Sequence, residues 1–371
     1  MSASEDPTPE GAVTPEAPAA EPPAAAPADA ETPAAAAADA AAPVVPVEEK
    51  RRRKLILLLL LSLAFILLLA IAIWYLIFRQ PINVIPPPPG GTVMPNYVTS
   101  IYGVTRPLGA AVTDDGSRIF IGETDGDRIA KVFDSGGAQV GLLQPPVSTG
   151  SSHVPVYLAR NPVTNEIYVS DRPTAAIYVY DTSGNYLRQL NVPQGLDTWA
   201  PLGLAFDAAG NLYVTNVNAN PQDVVKLDAS GKVVQTFGTN EGMSFPNGVA
   251  VDSNGNVYVT DSNNGRLLVY SADGTLQAQV GRGVGVGNLG LPRGVAITNT
   301  GQVLVADATG QAIEVFSVLK SGEKRLNFLG SFGAEGGADG QFEYPNGLTL
   351  DGRGHIYIAD SGNKRLQVWS Y

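Results

Sequence analysis

Two patterns of apolar residues divide the chain. From Leu55 to Phe78 run 24 uncharged positions, mostly Leu, Ile and Ala, apolar on every face. A helix there is about 36 Å long at 1.5 Å per residue, enough to cross a hydrocarbon layer of about 30 Å. Beyond residue 96 the pattern changes to short apolar runs rich in Val, Ile and Tyr, each closed by Gly, Asn or Asp. That pattern predicts strands in series rather than helices. Residues 1–49 show neither pattern: Ala and Pro with ten acids and no Lys or Arg, a composition that cannot bury a core. The expected organisation is a disordered tail over 1–54 ending in a basic cluster, a transmembrane helix over 55–78, a Pro/Gly-rich stalk over 79–95 and an all-β domain over 96–371.

The strand pattern repeats. Its opening recurs six times, as Pro107-Leu108-Gly109, Pro155-Val156-Tyr157, Pro201-Leu202-Gly203, Pro246-Asn247-Gly248, Pro292-Arg293-Gly294 and Pro345-Asn346-Gly347, with third positions 48, 46, 45, 46 and 53 residues apart. Each opening leads through a strand to a turn such as Asp252 to Asn256, then to a second strand ending in a carboxylate or amide. Third and fourth strands follow, as in Arg266 to Tyr270 and Lys232 to Phe237. Four strands per repeat and six repeats predict a six-bladed β-propeller, an architecture that leaves only short edges. The last repeat shows only three strands before Tyr371. Tyr97 to Gly103 is expected to supply its fourth and so close the ring.

Charge then fixes an expected topology. Lys50 to Lys54 are five consecutive cations before the apolar run, against Arg79 after it. This imbalance predicts a cytoplasmic N-terminal side and an extracytoplasmic propeller. The run is longer than a signal-peptide core and continues past Ala70-Ile71-Ala72, so an uncleaved anchor is expected. Trp74 and Tyr75 fall near its outer end. The net charge is −11, and removing the ten tail acids and the six cations that flank the apolar run leaves 18 cations against 25 acids, about −7, in the rest. An acidic domain without a basic stripe is a poor match for nucleic acid. With no Cys there are no disulfides, thiolate metal sites or Cys nucleophiles.

Phe342-Glu343-Tyr344-Pro345-Asn346-Gly347 through Trp369, with Asp360 to Arg365 inside it, resembles an NHL repeat, and Phe245 to Tyr270 resembles another. The likeness spreads over 96–371 and is weakest in the first two repeats. It implies an NHL-type propeller, a fold that hosts lyases, lactonase-like enzymes, sensor domains and scaffolds, so it implies no single activity.

Candidate chemistry lies at the strand ends. Glu123, Asp171, Asn216, Asp261, Asp307 and Asp360 close the six second strands and are expected to ring one channel mouth. Glu123 with Arg128, Asp261 with Arg266, and Asp360 with Arg365 share a five-residue spacing that predicts structural ion pairs. Asp171 and Asp307 have Ala176 and Ala312 in the Arg position, and Asn216 is neutral, so Asp171, Asn216 and Asp307 offer hard oxygens to Ca²⁺, the only cofactor the pattern suggests. That set would serve a metal-assisted lyase or lactonase-like enzyme. Propellers similar to the gluconolactonase type hold their metal on the middle residues of the openings, here Leu108, Val156, Leu202, Asn247, Arg293 and Asn346, a poor donor set. His153 and His355 are expected on opposite faces, too far apart for the zinc centre of an amidating lyase. Gly285, Gly287 and Gly290 form a G-x-G-x-x-G with a strand rather than a helix after it, hence an inter-blade loop. Arg106, Trp199, Phe245 and Tyr344 precede the opening prolines by one or two positions, and aromatic and Arg side chains on a rigid face are the composition of a partner-binding patch. The function this predicts is a membrane-anchored recognition, sensor or assembly module whose partner is another protein.

Overall fold

The computed structural model describes residues 47–78, 93–146, 152–281 and 286–371. Most of the acidic tail, most of the Pro86–Pro89 stalk region, Arg79 and Gly285 lie outside them. Two compact units are present, one ending at Phe78 and one beginning at Arg79. The first holds a single helix, Val47–Phe78, and its stretch Arg51–Ala70 has a mean hydropathy of 2.5, long and apolar enough to cross a membrane. Its side chains from Leu55 to Leu69 are exposed within the unit, apolar on every face.

The second unit is all β: six four-stranded antiparallel sheets, a six-bladed propeller. The innermost strands are Pro107–Val112, Pro155–Arg160, Pro201–Phe206, Pro246–Val251, Pro292–Ile297 and Pro345–Leu350, each adjacent to the next, with the last against the first. Blade 6 takes its outer strand from Asn96–Ile101, which pairs antiparallel with Arg365–Ser370, Tyr97 opposite Trp369. The closure predicted from Tyr97 to Gly103 is therefore the one observed.

Propeller stability resides between blades. Among the described residues the buried side chains group into six clusters that each span two neighbouring sheets, for example Ile119, Ile121 and Phe133 of blade 1 with Tyr357, Leu366 and Val368 of blade 6. Period-2 strands make this possible, since alternate residues face the two adjoining blades. The closing blade is stapled by aromatics: Trp369 stacks on Phe342 at 5.7 Å between centroids and meets Tyr97 edge-on at 6.0 Å. A seventh cluster, Val156, Tyr157 and Leu202 with Leu108 and Phe245 packed against it, lies on the channel axis.

Candidate functional site

Proline at the head of each innermost strand shapes the channel mouth. It has no N–H to give to the ladder, so pairing begins at Pro and shifts register at once. Pro107 faces Glu123, Pro155 Asp171, Pro201 Asn216, Pro246 Asp261, Pro292 Asp307 and Pro345 Asp360, each pair followed by an irregularity. Glycine in the third position lets neighbouring blades close up. A Cβ on Gly248 would sit 2.6 Å from the Arg293 carbonyl oxygen and one on Gly294 2.7 Å from that of Asn346.

The ring of strand-end residues turns into the loops. Each accepts from a backbone N–H just ahead of its own blade's proline: Thr105 N to Glu123 at 3.0 Å, Val154 N to Asp171 at 2.9 Å, Ala200 N to Asn216 at 2.9 Å, Ser244 N to Asp261 at 2.7 Å, Leu291 N to Asp307 at 2.9 Å and Glu343 N to Asp360 at 2.8 Å. Two ion pairs have the predicted partners, Arg266 to Asp261 at 2.7 Å and Arg365 to Asp360 at 2.8 Å. The third does not. Glu123 pairs with Lys131 at 2.7 Å, while Arg128 occupies the left-handed corner of its turn at φ 53° and points to solvent. In blade 4 that corner is Gly265, and Arg266 follows it as the first residue of the strand. Blade 1 has six residues between Glu123 and its strand at Ala130, against four between Asp261 and Arg266, and its left-handed corner falls on Arg128 itself.

The candidate calcium ligands are likewise engaged. Asp171 accepts from Thr174 N and Oγ1 at 3.2 and 2.7 Å and faces His153 Nδ1 at 3.2 Å. Asp307 accepts from Gly290, Thr309 and Gly310 N–H groups at 2.6, 3.2 and 3.1 Å, and Asn216 Nδ2 donates to the Thr198 carbonyl at 3.1 Å. Thr and backbone donors thus replace the missing Arg in blades 2 and 5. None of the three residues lines the channel cavity, and among the described residues no group of three or more His, Cys, Asp or Glu is placed to hold a metal. His355 lies against Asp351 at 2.8 Å, in the turn of blade 6.

Of the four partner-binding candidates, three surround the mouth. Arg106, Phe245 and Tyr344 each sit directly before an opening proline with φ of 48°, 56° and 52°, a region that non-glycine residues adopt at a cost of order 1 kcal/mol. Side-chain carbonyls from the preceding blade hold two of them: Gln222 accepts from Phe245 N at 2.5 Å and Gln311 from Tyr344 N at 2.7 Å. Tyr344 is 53% exposed. Trp199 is the correction. It stands two residues before its proline, and blade 3 has Ala200 next to Pro201. Trp199 is packed among Tyr168, Leu204 and Val214 at 4% exposure.

These three residues rim a cavity of about 750 Å³ at the mouth. Leu108, Val156, Leu202, Asn247, Arg293 and Asn346, the middle residues of the openings, all line it, with Arg172 and Lys364. Its floor was missed from sequence. Tyr157, the one opening residue standing where the other five repeats have Gly, crosses the channel axis: its hydroxyl donates to Asn247 Oδ1 at 2.5 Å, and its ring lies 3.0 Å from where a Gly347 Cβ would be. Burial pushes the Tyr157 phenol far above its usual range. Tyr157 also lines a second cavity of about 260 Å³ that occupies the opposite end of the channel. The break in the Gly pattern was the signal available.

The charge of the mouth is opposite to that of the domain. Arg106, Arg172, Arg293 and Lys364 line it, and among the described residues no Asp, Glu or His does. Arg172 lies 5.5 Å over the Phe245 ring, and Arg293 Nε is buried with no hydrogen-bond partner.

Residues 243–270 and 342–369 match the NHL repeat family. No curated protein matches the chain. Among solved structures, a streptogramin B lyase superposes with a TM-score of 0.53 at 14% identity, over 75% of this chain and 98% of that one. A virginiamycin B lyase from Staphylococcus aureus matches with a TM-score of 0.49 at 14% identity, over 75% and 99%. At this identity the first likeness speaks for the fold alone. The chain carries NHL repeats in a six-bladed β-propeller, together with one helix apolar enough to span a membrane.

Proposed function

We propose that this protein is a membrane-anchored recognition module, with the propeller on the extracytoplasmic side and its mouth-bearing face serving as the docking surface for another protein. The observation that carries the reading is a rigid rim of Arg106, Phe245 and Tyr344, held in left-handed backbone conformations around an open cavity. Strained, well-braced residues cluster where a surface is built for binding, and aromatic and Arg side chains supply most of the energy at such surfaces. Anchoring rests on the helix Val47–Phe78, and the orientation rests on the cations Lys50 to Lys54 before its apolar stretch.

The structural likeness to a streptogramin B lyase keeps catalysis in view, but no specific residue here favours it. The strand-end oxygens are spent on loop N–H groups, and the mouth presents cations and amides. The test is co-purification of the full chain from native membranes, with Phe245→Ala and Tyr344→Ala introduced together. Loss of a partner retained by the unaltered protein supports the reading. Retention of every partner by a folded double variant overturns it.

A further inference from the structure

The propeller bears more acids than cations, yet the charged residues lining the mouth cavity are all cations, with the Glu343 side chain standing behind Gly362 at its edge. Arg160, Arg188, Arg266, Arg353, Arg365, Lys131 and Lys226 each lie within 4.0 Å of a carboxylate. Arg106, Arg172, Arg293 and Lys364, drawn from blades 1, 2, 5 and 6, have no such partner among the described residues and all line the mouth cavity. Crowding like charges without counter-charge costs stability. At an effective dielectric near 20 such repulsion is felt over several ångströms. Arg106, Arg172 and Lys364 are exposed, so water screens much of that repulsion; what sets the mouth apart is that a cavity of an acidic domain is lined by cations alone among its charged residues.

Arg293 sharpens the case. Its Nε is buried and lacks an acceptor, an unmet need of the kind native structures seldom tolerate. Beside it, Asn247 has its carbonyl oxygen committed to the Tyr157 hydroxyl, so its amide N–H₂ is what remains for the cavity. Leu108, Val156, Leu202 and the Phe245 ring form the apolar part of the wall. The volume, about 750 Å³, is that of a small-molecule site rather than a flat contact.

We propose that the mouth binds a small organic anion, a carboxylate or phosphate on an apolar or aromatic body, with its oxygens on Arg172 and Arg293 and its body against Leu202 and Phe245. Arginine forks match both oxyanions in two-point geometry. This goes beyond the docking of a protein on the same face: it concerns the interior of the cavity, which shares only Phe245 with the rim.

The test is calorimetric titration of the full chain in a neutral maltoside detergent with benzoate, phenyl phosphate and, as uncharged control, benzyl alcohol. The expected result is saturable binding of one anion per chain, weaker at higher salt, and at least about tenfold weaker in Arg172→Gln and Arg293→Gln. Arg325→Gln, outside the cavity, is expected to bind as the parent does. The relative strength of the two anions reports which oxyanion the site prefers. Without added anion, Arg293→Gln is expected to melt no lower than the parent, because it relieves repulsion; a residue with a purely structural role would lower the melting temperature. The proposal is overturned if neither anion gives saturable heat up to about 10 mM, if benzyl alcohol binds equally well, or if both Gln variants bind as tightly as the parent. Failure of anion binding with partner capture intact would remove this site and leave the recognition reading standing.

Discussion

Tyr157 is the residue on which the shape of the mouth depends, and its replacement separates packing from hydrogen bonding. Tyr157→Phe keeps the ring and removes the hydroxyl, leaving Asn247 Oδ1, on a side chain 3% exposed, without its donor. An orphaned buried acceptor costs about 1–2 kcal/mol. Tyr157→Ala removes the ring from the axial cluster with Val156 and Leu202 and opens the floor between the cavities of about 750 and 260 Å³. Truncation of a buried aromatic costs about 3–5 kcal/mol. For a domain of this size each kcal/mol moves the melting temperature by roughly 2 °C, so the expected falls are about 2–4 °C for Phe and about 6–10 °C for Ala. Thermal unfolding of the full chain in detergent, followed by near-ultraviolet circular dichroism, measures both. If Tyr157→Ala melts within about 1 °C of the parent, the side chain does not plug the channel and the two-cavity description is wrong.

Two further perturbations probe the buried charges. Burial pushes Asp223 up to about 6, and burial followed by the neighbouring Asp307 charge pushes Glu314 up to about 7. Both folded values lie above the unfolded ones. Their contribution is therefore complete below about pH 4 and is lost as pH rises through 6 and 7, by about 3 kcal/mol for each shift of about two units. Glu166 and Asp207 are held low, Glu166 chiefly by Arg188 and Asp207 by hydrogen bonds from Asn211 that outweigh its burial, so their contribution is lost only on further acidification. Melting temperature is expected to peak near pH 5 and decline towards pH 8, and Asp223→Asn with Glu314→Gln should flatten the decline; a flat profile in the parent would contradict the assignment. Arg365, 2% exposed, binds Asp360 and the Ala338 and Gln341 carbonyls at 2.8 Å each, so Arg365→Met should destabilise by about 3–5 kcal/mol by leaving Asp360 buried and uncompensated. Chemical denaturation giving less than about 1 kcal/mol would show that the pair is dispensable.

The architecture was legible because each blade is specified by local signals. Opening prolines, the Asp-x-x-Gly-Asn turns and period-2 strands recur, and the repeat number follows from their spacing. The site was legible only in part, since side-chain direction at its rim depends on changes of one or two residues in loop length. Arg128 and Arg266 share a spacing from their carboxylates, but the longer turn of blade 1 puts Arg128 on a left-handed corner and passes its role to Lys131. Trp199 was expected beside Phe245 and Tyr344, but those residues directly precede their prolines, whereas Trp199 stands one position further back and turns inward. The strand-end carboxylates suggest a metal ring in the sequence because spacing shows where carboxylates stand and not which N–H groups they accept from. The basic mouth was hidden by the overall acidity: its four cations come from blades far apart in the chain, and only ring closure brings them together.

The claim that the mouth-bearing face is a recognition surface is tested most directly by site-specific photo-cross-linking in native membranes. The photo-reactive residue is placed at Tyr344 on the rim, or at Val163, also exposed, in the turn at the other end of blade 2. The account predicts a discrete cross-linked species from position 344 and none from position 163. No product from 344, or the same products from both positions, would contradict it.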